Sequence, residues 1–411
     1  MIESPLERLS KAHPDLEIWW DSSPLVYEDW VEHVLEEADP ERRSVLEEQL
    51  ARLYNVDNPA ESLVRGCTTN PSLSLKAVKN DPELWNAWID ETIRANPGLD
   101  QEELTWITYK EVVKRGAEMM MPIWEASDGR FGWISGQLDP RLFTEKDEMV
   151  QQAEELSALK PNVMIKVPGS KEGIDVLRIL ASRGISTNTT VCFNLPQIIA
   201  SAKATAEGLQ MVQKDHRLNT SEAGVDLTKW RAVITMMTGR LTEREALTEQ
   251  AERRGIELTW ADRHWFGIAV FQRAYRFIRD GGYPSKMLVC SMRQGPLVAG
   301  KPRFWDVENL AGDVVFTCPP YVLEPLLEVG DDLMFDGGGI EAVEVPQSVL
   351  DKLLQLPYVI QSYDPNGMSL EQFNTCPPTQ YTIKGFSGAF EGLLDYVGDR
   401  MSKVRGAPAG S

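Results

Sequence analysis

Lys166 is the only charged residue in the run Asn162-Val163-Met164-Ile165-Lys166-Val167-Pro168-Gly169. A short apolar run bounded by turn formers predicts a strand covered on both faces, as parallel strands are. An ammonium placed there loses hydration, so its pKa falls toward neutrality and the free amine can attack a carbonyl. The chemistry open to such a lysine is imine formation, which draws electrons from the neighbouring carbon. A lysine in such a run can also sit at a strand end with its head in solvent or on a carboxylate, so its neighbours decide. Asp21, after Ile18-Trp19-Trp20, can shuttle protons or cap the helix that follows. In Gly66-Cys67-Thr68-Thr69-Asn70-Pro71, Thr68 and Asn70 can hold substrate hydroxyls, while Asn-Pro also makes a capping turn. Gln137 ends a third run, and Asn188 and Thr190, two apart, share one strand face. Thr235 and Arg240 lie at the end of a sixth run, Ser291 and Arg293 at the end of a seventh. Two arginines and a serine on adjacent strands suit a phosphate, because a guanidinium fork grips it bidentately. The glycine-rich Asp336-Gly337-Gly338-Gly339 lacks the strand-to-helix placement of a phosphate loop and reads as a turn.

Eight short apolar runs carry these residues. They are LEIWWDSS from Leu16, VRGCTTN from Val64, FGWISGQLD from Phe131, NVMIKVPG from Asn162, ISTNTTVCF from Ile185, WRAVITMMTG from Trp230, KMLVCSM from Lys286 and DVVFTCPP from Asp313. Helical patterns alternate with them. They include SLSLKAVKN, Pro82 to Ile93, EGIDVLRILASRG ending on Gly184, LPQIIASAKATAEGL, LTEREALTEQAERRG and the apolar stretch from His264 to Arg279. Strand–helix alternation repeated eight times predicts an α/β fold in which parallel strands close into a (β/α)8 TIM barrel with extra helices. A doubly wound open sheet is the other arrangement with this alternation. In a β/α barrel the site lies at the C-terminal mouth, where nearly every run here ends in a polar residue. The reading is a single barrel domain over 1–405. It has a charged helical insertion at about 27–60, further helices after Pro320, a loop from Tyr363 to Pro378 and a disordered tail over 406–411.

Composition bounds the partners. The chain has 411 residues, 42% hydrophobic and 25% charged, with a formal charge of −20. That charge argues against a nucleic-acid or anionic-membrane surface, which needs clustered Lys and Arg, yet leaves room for a small anion focused on a few arginines. The five cysteines are scattered without a CxxC, and four lie in the apolar runs, which predicts buried free thiols in a cytoplasmic protein. The four histidines show no metal-ligand spacing, so no metal is expected. The N-terminus is no signal peptide, and no apolar run approaches membrane-spanning length.

Taken together the strand ends resemble the transaldolase family. Gly66-Cys67-Thr68-Thr69-Asn70-Pro71-Ser72-Leu73 looks like its second-strand motif and Val163-Met164-Ile165-Lys166-Val167-Pro168-Gly169 like its Schiff-base strand. Gly184-Ile185-Ser186-Thr187-Asn188-Thr189-Thr190 resembles the segment that follows, and Val289-Cys290-Ser291-Met292-Arg293 the phosphate-side strand. The match runs from about Leu16 to Pro320, and length and insertions are closer to the long, plant- and actinobacterial-type members. The resemblance implies class I aldol chemistry without metal or organic cofactor, in a monomer or homodimer acting on sugar phosphates. Lys166 would form the imine and Asp21 move the proton that opens the C3–C4 bond. Thr68, Asn70, Asn188 and Thr235 would hold the dihydroxyacetone unit, with Gln137 and Thr190 completing the catalytic set. Arg240, Arg293 and Ser291 would hold the phosphate. Gln137 departs from the pattern, because transaldolases usually carry there a glutamate that orients the catalytic water. The fructose-6-phosphate aldolase branch has glutamine, paired with a tyrosine on the sixth strand where this chain has Met237. Thr235 stands where a serine is common. The first expectation is transfer of a dihydroxyacetone unit between sugar phosphates. The second is an aldolase, in specialised metabolism or otherwise, that uses free dihydroxyacetone or another ketose. The third is a barrel that binds sugar phosphate without turnover.

Overall fold

The computed structural model describes residues 2–55, 57–217, 227–298, 300–329, 333, 335 and 339–406. All eight expected strands form: β1 Glu17–Trp20, β2 Val64–Thr68, β3 Trp133–Gln137, β4 Val163–Pro168, β5 Thr187–Cys192, β6 Ala232–Met237, β7 Ser285–Cys290 and β8 Val315–Cys318. Every pair between them is parallel, and the ring closes where Trp20 lies beside both Cys67 of β2 and Cys318 of β8. The result is a (β/α)8 barrel rather than an open sheet. Closure explains the near-continuous apolar runs, since each strand has the barrel interior on one face and helices on the other.

Register places the chemistry. Gln137 stands beside Lys166, Lys166 beside Asn188, and Pro168 beside Thr190. Along β1 the alternation of side chains puts Glu17, Trp19 and Asp21 in one line from the N-terminal end of the barrel to its mouth. Trp19 fills the middle so closely that a Cβ on Gly66 would fall 2.6 Å from the indole, so the second strand needs glycine at that point. At the N-terminal end the buried Glu17 pairs with Lys286 at 3.1 Å and Arg231 at 2.5 Å and accepts from Trp19 Nε1 at 3.0 Å. Burial alone would raise the pKa of Glu17, but the two cations hold it down at about 2. His13, Asp15 and Asp313 bring ligand atoms within 4.8 Å of one another below this cluster. Arg130 already pairs with Asp15 and Lys286 with Asp313.

The helices follow the sequence pattern with two differences. Gly184 ends the helix Lys171–Ser182 at φ +69°, a left-handed turn that glycine adopts without strain. The stretch from Leu241 to Gly255, expected as one helix, is split into Thr238–Thr242 and Glu245–Arg253. Arg244 between them is extended, at φ −76° and ψ 139°. The stretch from Tyr363 to Pro378, expected as a loop, contains the helix Leu370–Thr375, because Ser369 and Gln372 form a capping box. The insertion is two helices, Tyr27–Glu37 and Arg43–Leu53, anchored by Tyr27 and Trp30 against Trp20 at centroid distances of 5.3 and 4.8 Å. The C-terminal helix Pro377–Gly406 packs along Pro71–Asn80, Pro82–Ala95 and Gln101–Ala126. Arg400 fixes its far end on Asp90, and Phe390 is buried beside Tyr109. Gly406 belongs to this helix, while 407–411 and three of the four residues of the turn expected at Asp336–Gly339 lie outside the described residues; Gly339 itself opens the short helix Gly339–Ala342. All five cysteines are free and buried. Among the described residues no helix is long and apolar enough to cross a membrane.

Candidate active site

Lys166 reaches into the barrel from the middle of β4 and is 4% exposed. Its Nζ donates to the Thr69 carbonyl oxygen at 3.0 Å. Burial is the strongest influence on the amine and lowers its pKa, against the pull of the Asp21 carboxylate. Asp21 shows the converse. Enclosure by the surrounding strands pushes its pKa above the usual carboxylate range, although Lys166 and the Thr68 hydroxyl favour the charged form. An amine moved down and a carboxyl moved up are brought closer in proton affinity, which suits an acid–base couple. Thr68 Oγ1 donates to Asp21 at 2.8 Å and also meets the hydroxyl of Thr317 on β8, which orients the carboxylate. Ser23, not Asp21, caps the short helix that follows β1, so the carboxylate is free of that structural duty.

Across the barrel Asn188 is clamped from both sides. Its Nδ2 donates to Ser135 Oγ at 2.9 Å, and its Oδ1 accepts from Thr235 Oγ1 at 2.6 Å. The amide is therefore held in one orientation beside Lys166, with one N–H to spare. Two buried polar atoms nearby have no partner among the described residues: Gln137 Oε1 and Thr190 Oγ1. Gln137 is fixed at its backbone, where the Tyr109 hydroxyl accepts from its N–H at 2.9 Å and donates to its carbonyl at 2.8 Å. An unpaired buried acceptor or hydroxyl costs about 1–3 kcal/mol, which a bound substrate or water can return. Backbone strain lies in the same region. Val191, next to Thr190, has φ +50°, and Ser291 has φ +59°, both uncommon for residues with a side chain.

The anion side differs from the expectation. Ser291 and Arg293 are joined, Arg293 Nη1 donating to the Ser291 carbonyl at 2.8 Å and to its hydroxyl at 3.3 Å. The fork of Arg293 is taken by Glu243, with Nε and Nη2 at 2.6 and 2.7 Å from the two carboxylate oxygens. Arg240 has no carboxylate partner among the described residues, and its guanidinium lies 4.9 Å from the ring centroid of Phe386 on the C-terminal helix. Arg244 stacks on Tyr381 of that helix at 3.6 Å, with its Nε buried and unpartnered. Asn70 uses its Oδ1 to cap the helix Pro71–Asn80 by accepting from Leu73 N at 3.0 Å, the turn role open in the sequence. Met237 is buried at the end of β6 beside Cys290.

Reading the sequence missed Ser135, Thr317, Arg244 and Glu243. Ser135 was open to inference, since it stands two residues before Gln137 and so shares its face. Thr317 lies inside an apolar run with only its hydroxyl to mark it. Glu243 and Arg244 sit in a charged stretch that reads as a solvated helix face, and only the helix break shows otherwise.

Comparison with known proteins gives the family. A sequence profile of the family described as Transaldolase/Fructose-6-phosphate aldolase matches residues 51–375. The transaldolases of Mycobacterium ulcerans (strain Agy99) and Mycobacterium marinum (strain ATCC BAA-535 / M) are each 30% identical over 306 residues, covering 71% of this chain and 78% of theirs. The transaldolase of Mycobacterium leprae (strain TN) is 29% identical over 282 residues, 65% of this chain and 72% of its own.

Proposed function

This chain belongs to the transaldolase/fructose-6-phosphate aldolase family and is an enzyme of that transferase and aldolase type, and from that premise we propose that it transfers a dihydroxyacetone unit between sugar phosphates through an imine on Lys166. The observation that carries the proposal is the opposed displacement of Lys166 and Asp21, an amine and a carboxyl shifted toward each other inside one barrel mouth. Lys166 Nζ attacks the ketone carbon of a ketose phosphate, whose oxygen gains protons and leaves as water. Asp21 takes the C4 hydroxyl proton, the C3–C4 electron pair moves toward the imine nitrogen, and an aldose phosphate departs. The three-carbon enamine left on Lys166 adds to the carbonyl of a second aldose phosphate as Asp21 returns the proton. Water then frees the product and the lysine.

The other residues support these steps. Thr68 orients Asp21; Asn188, set by Ser135 and Thr235, meets the hydroxyls of the three-carbon unit, with Asn70 at the edge of the same mouth. The unpartnered atoms of Gln137 and Thr190 place the water that is lost and regained. Arg240 and Arg293, with Ser291, take the phosphate.

A second reading, cleavage that releases free dihydroxyacetone, is favoured by one observation: Gln137 holds an amide where a carboxylate would be needed to activate water. The two share their first half, so borohydride trapping with fructose 6-phosphate tests both. The expected product is a reduced three-carbon adduct mapped to Lys166. Absence of any adduct on folded protein, with fructose 6-phosphate and with dihydroxyacetone, would overturn the imine.

A further inference from the structure

We propose that Glu243 is a specificity-determining residue whose carboxylate occupies the Arg293 fork that a substrate phosphate would take, so that phosphate binding is an exchange of one anion for another. The inference rests on the reading of Arg240, Ser291 and Arg293 as the phosphate side of the site.

The geometry leaves Arg293 no open fork. Its Nε and Nη2 grip both oxygens of Glu243 at 2.6 and 2.7 Å. Its Nη1 is spent on the Ser291 carbonyl and hydroxyl and the Met292 carbonyl at 2.8, 3.3 and 3.1 Å, with the Tyr321 hydroxyl at 3.5 Å. Two parallel N–H···O bonds are how a guanidinium binds a phosphate oxygen pair, and a carboxylate offers the same two acceptors at the same spacing. Glu243 thus copies the contact that the substrate must make.

Its position suits a displaceable stand-in rather than a structural pair. The carboxylate side chain is 46% exposed, whereas Arg293 is held on three sides by its own loop and by the Asp306 carboxylate, which accepts from the Arg293 backbone N–H at 3.1 Å. Glu243 can therefore swing away without moving its partner. The helix break at Glu243 and Arg244 is what lets the side chain face Arg293. Arg240 and Arg244 add their fields to the same carboxylate, so three guanidinium groups bear on Glu243, with Asp306 beside Arg293 and Asp21 acting on Arg240. A phosphate dianion can meet Arg240, which has no carboxylate partner among the described residues, as the first contact while Glu243 is still seated. A neutral ketose or free dihydroxyacetone gains nothing from the exchange. Glu243 therefore narrows the gap in binding between phosphorylated and unphosphorylated substrates.

Isothermal titration of inorganic phosphate into the full-length protein, its Glu243→Gln variant and its Arg293→Gln variant tests this, with thermal unfolding confirming that each is folded. An exposed to half-exposed ion pair is worth roughly 1 kcal/mol or less, so Glu243→Gln should tighten phosphate by about fivefold while Arg293→Gln weakens it. The KM for fructose 6-phosphate should fall by a similar factor in Glu243→Gln, and that for dihydroxyacetone should not follow. If phosphate binds, Arg293→Gln weakens it and Glu243→Gln leaves it unchanged, the exchange is wrong while the phosphate site stands. Weaker binding in Glu243→Gln would also overturn it, making the residue a support for Arg293. If phosphate binds none of the three proteins, or binds all three alike, the phosphate site itself falls and the exchange with it.

Discussion

Glu17, on β1, and Asp21, one residue past its end, are two carboxylates four positions apart in one line, and the barrel treats them in opposite ways. Glu17, at the N-terminal end, is seated among Arg231, Lys286 and the Trp19 indole N–H, and its pKa is drawn down to about 2. Asp21, at the mouth, accepts from the Thr68 hydroxyl, and enclosure pushes it up although Lys166 and Arg240 favour its charged form. Trp19 separates the two. Neither carboxylate differs in kind; contact does, since Arg231 and Lys286 form ion pairs with Glu17 while Lys166 and Arg240 act on Asp21 without an ion pair among the described residues. One end of the ring pairs its charges and holds the fold, and the other leaves its carboxylate without an ion pair and is where the proposed chemistry lies, as the placement of sites on β/α barrels leads one to expect.

That contrast can be broken in four places. Lys166→Ala should leave a folded barrel with activity reduced by about four orders of magnitude or more, because the proposed mechanism has no other group to form the imine. Retained turnover in a coupled assay would end the assignment. Asp21→Asn should lower kcat by roughly 10²–10⁴. Its effect on stability should be the reverse of a damaging change. A carboxyl whose folded pKa is raised stabilises the fold only while protonated, and that contribution is lost as pH rises through the folded pKa. At neutral pH the amide should therefore melt at the same temperature or higher. A clear drop in Tm would show that Asp21 is structural.

Glu17→Gln is the mirror experiment, expected to cost about 3 kcal/mol because Arg231 and Lys286 lose their shared counter-charge, with kcat little changed. The sign with pH is also opposite. The folded pKa of Glu17 is depressed, so its contribution is present above the unfolded value near 4.5 and lost as pH falls toward 2. Denaturant melts of both proteins between pH 7 and pH 3 should converge as the wild type loses that contribution. Parallel curves would refute the account. The smallest effect is expected from Gln137→Glu, which supplies a base for the water and should raise transfer to aldose phosphates over release of free dihydroxyacetone by about tenfold. An unchanged ratio in a donor–acceptor exchange assay would remove Gln137 from the water path.

The barrel was legible because each strand had to be apolar on both faces, which stamps the same short run on the sequence eight times and leaves a polar residue at its end. Lys166, Asp21 and Asn188 stood out for that reason. Partnership was not legible. Nothing in the spacing says that Asn188 is clamped by Ser135 and Thr235, or that Glu243 reaches Arg293 50 positions away. Those contacts depend on the stagger of neighbouring strands and on a helix that stops at Thr242 although its residues would allow it to continue. The split fate of Glu17 and Asp21 was hidden likewise, because it rests on cations that come from β6, β7 and the barrel interior rather than from β1.

The C-terminal helix carries a consequence in time. Tyr381 and Phe386, which cover Arg244 and Arg240, lie on the last element of the described chain, and the ring of strands is complete by Cys318. A ribosome therefore delivers every residue of the amine–carboxyl couple long before it delivers the cover over the arginines.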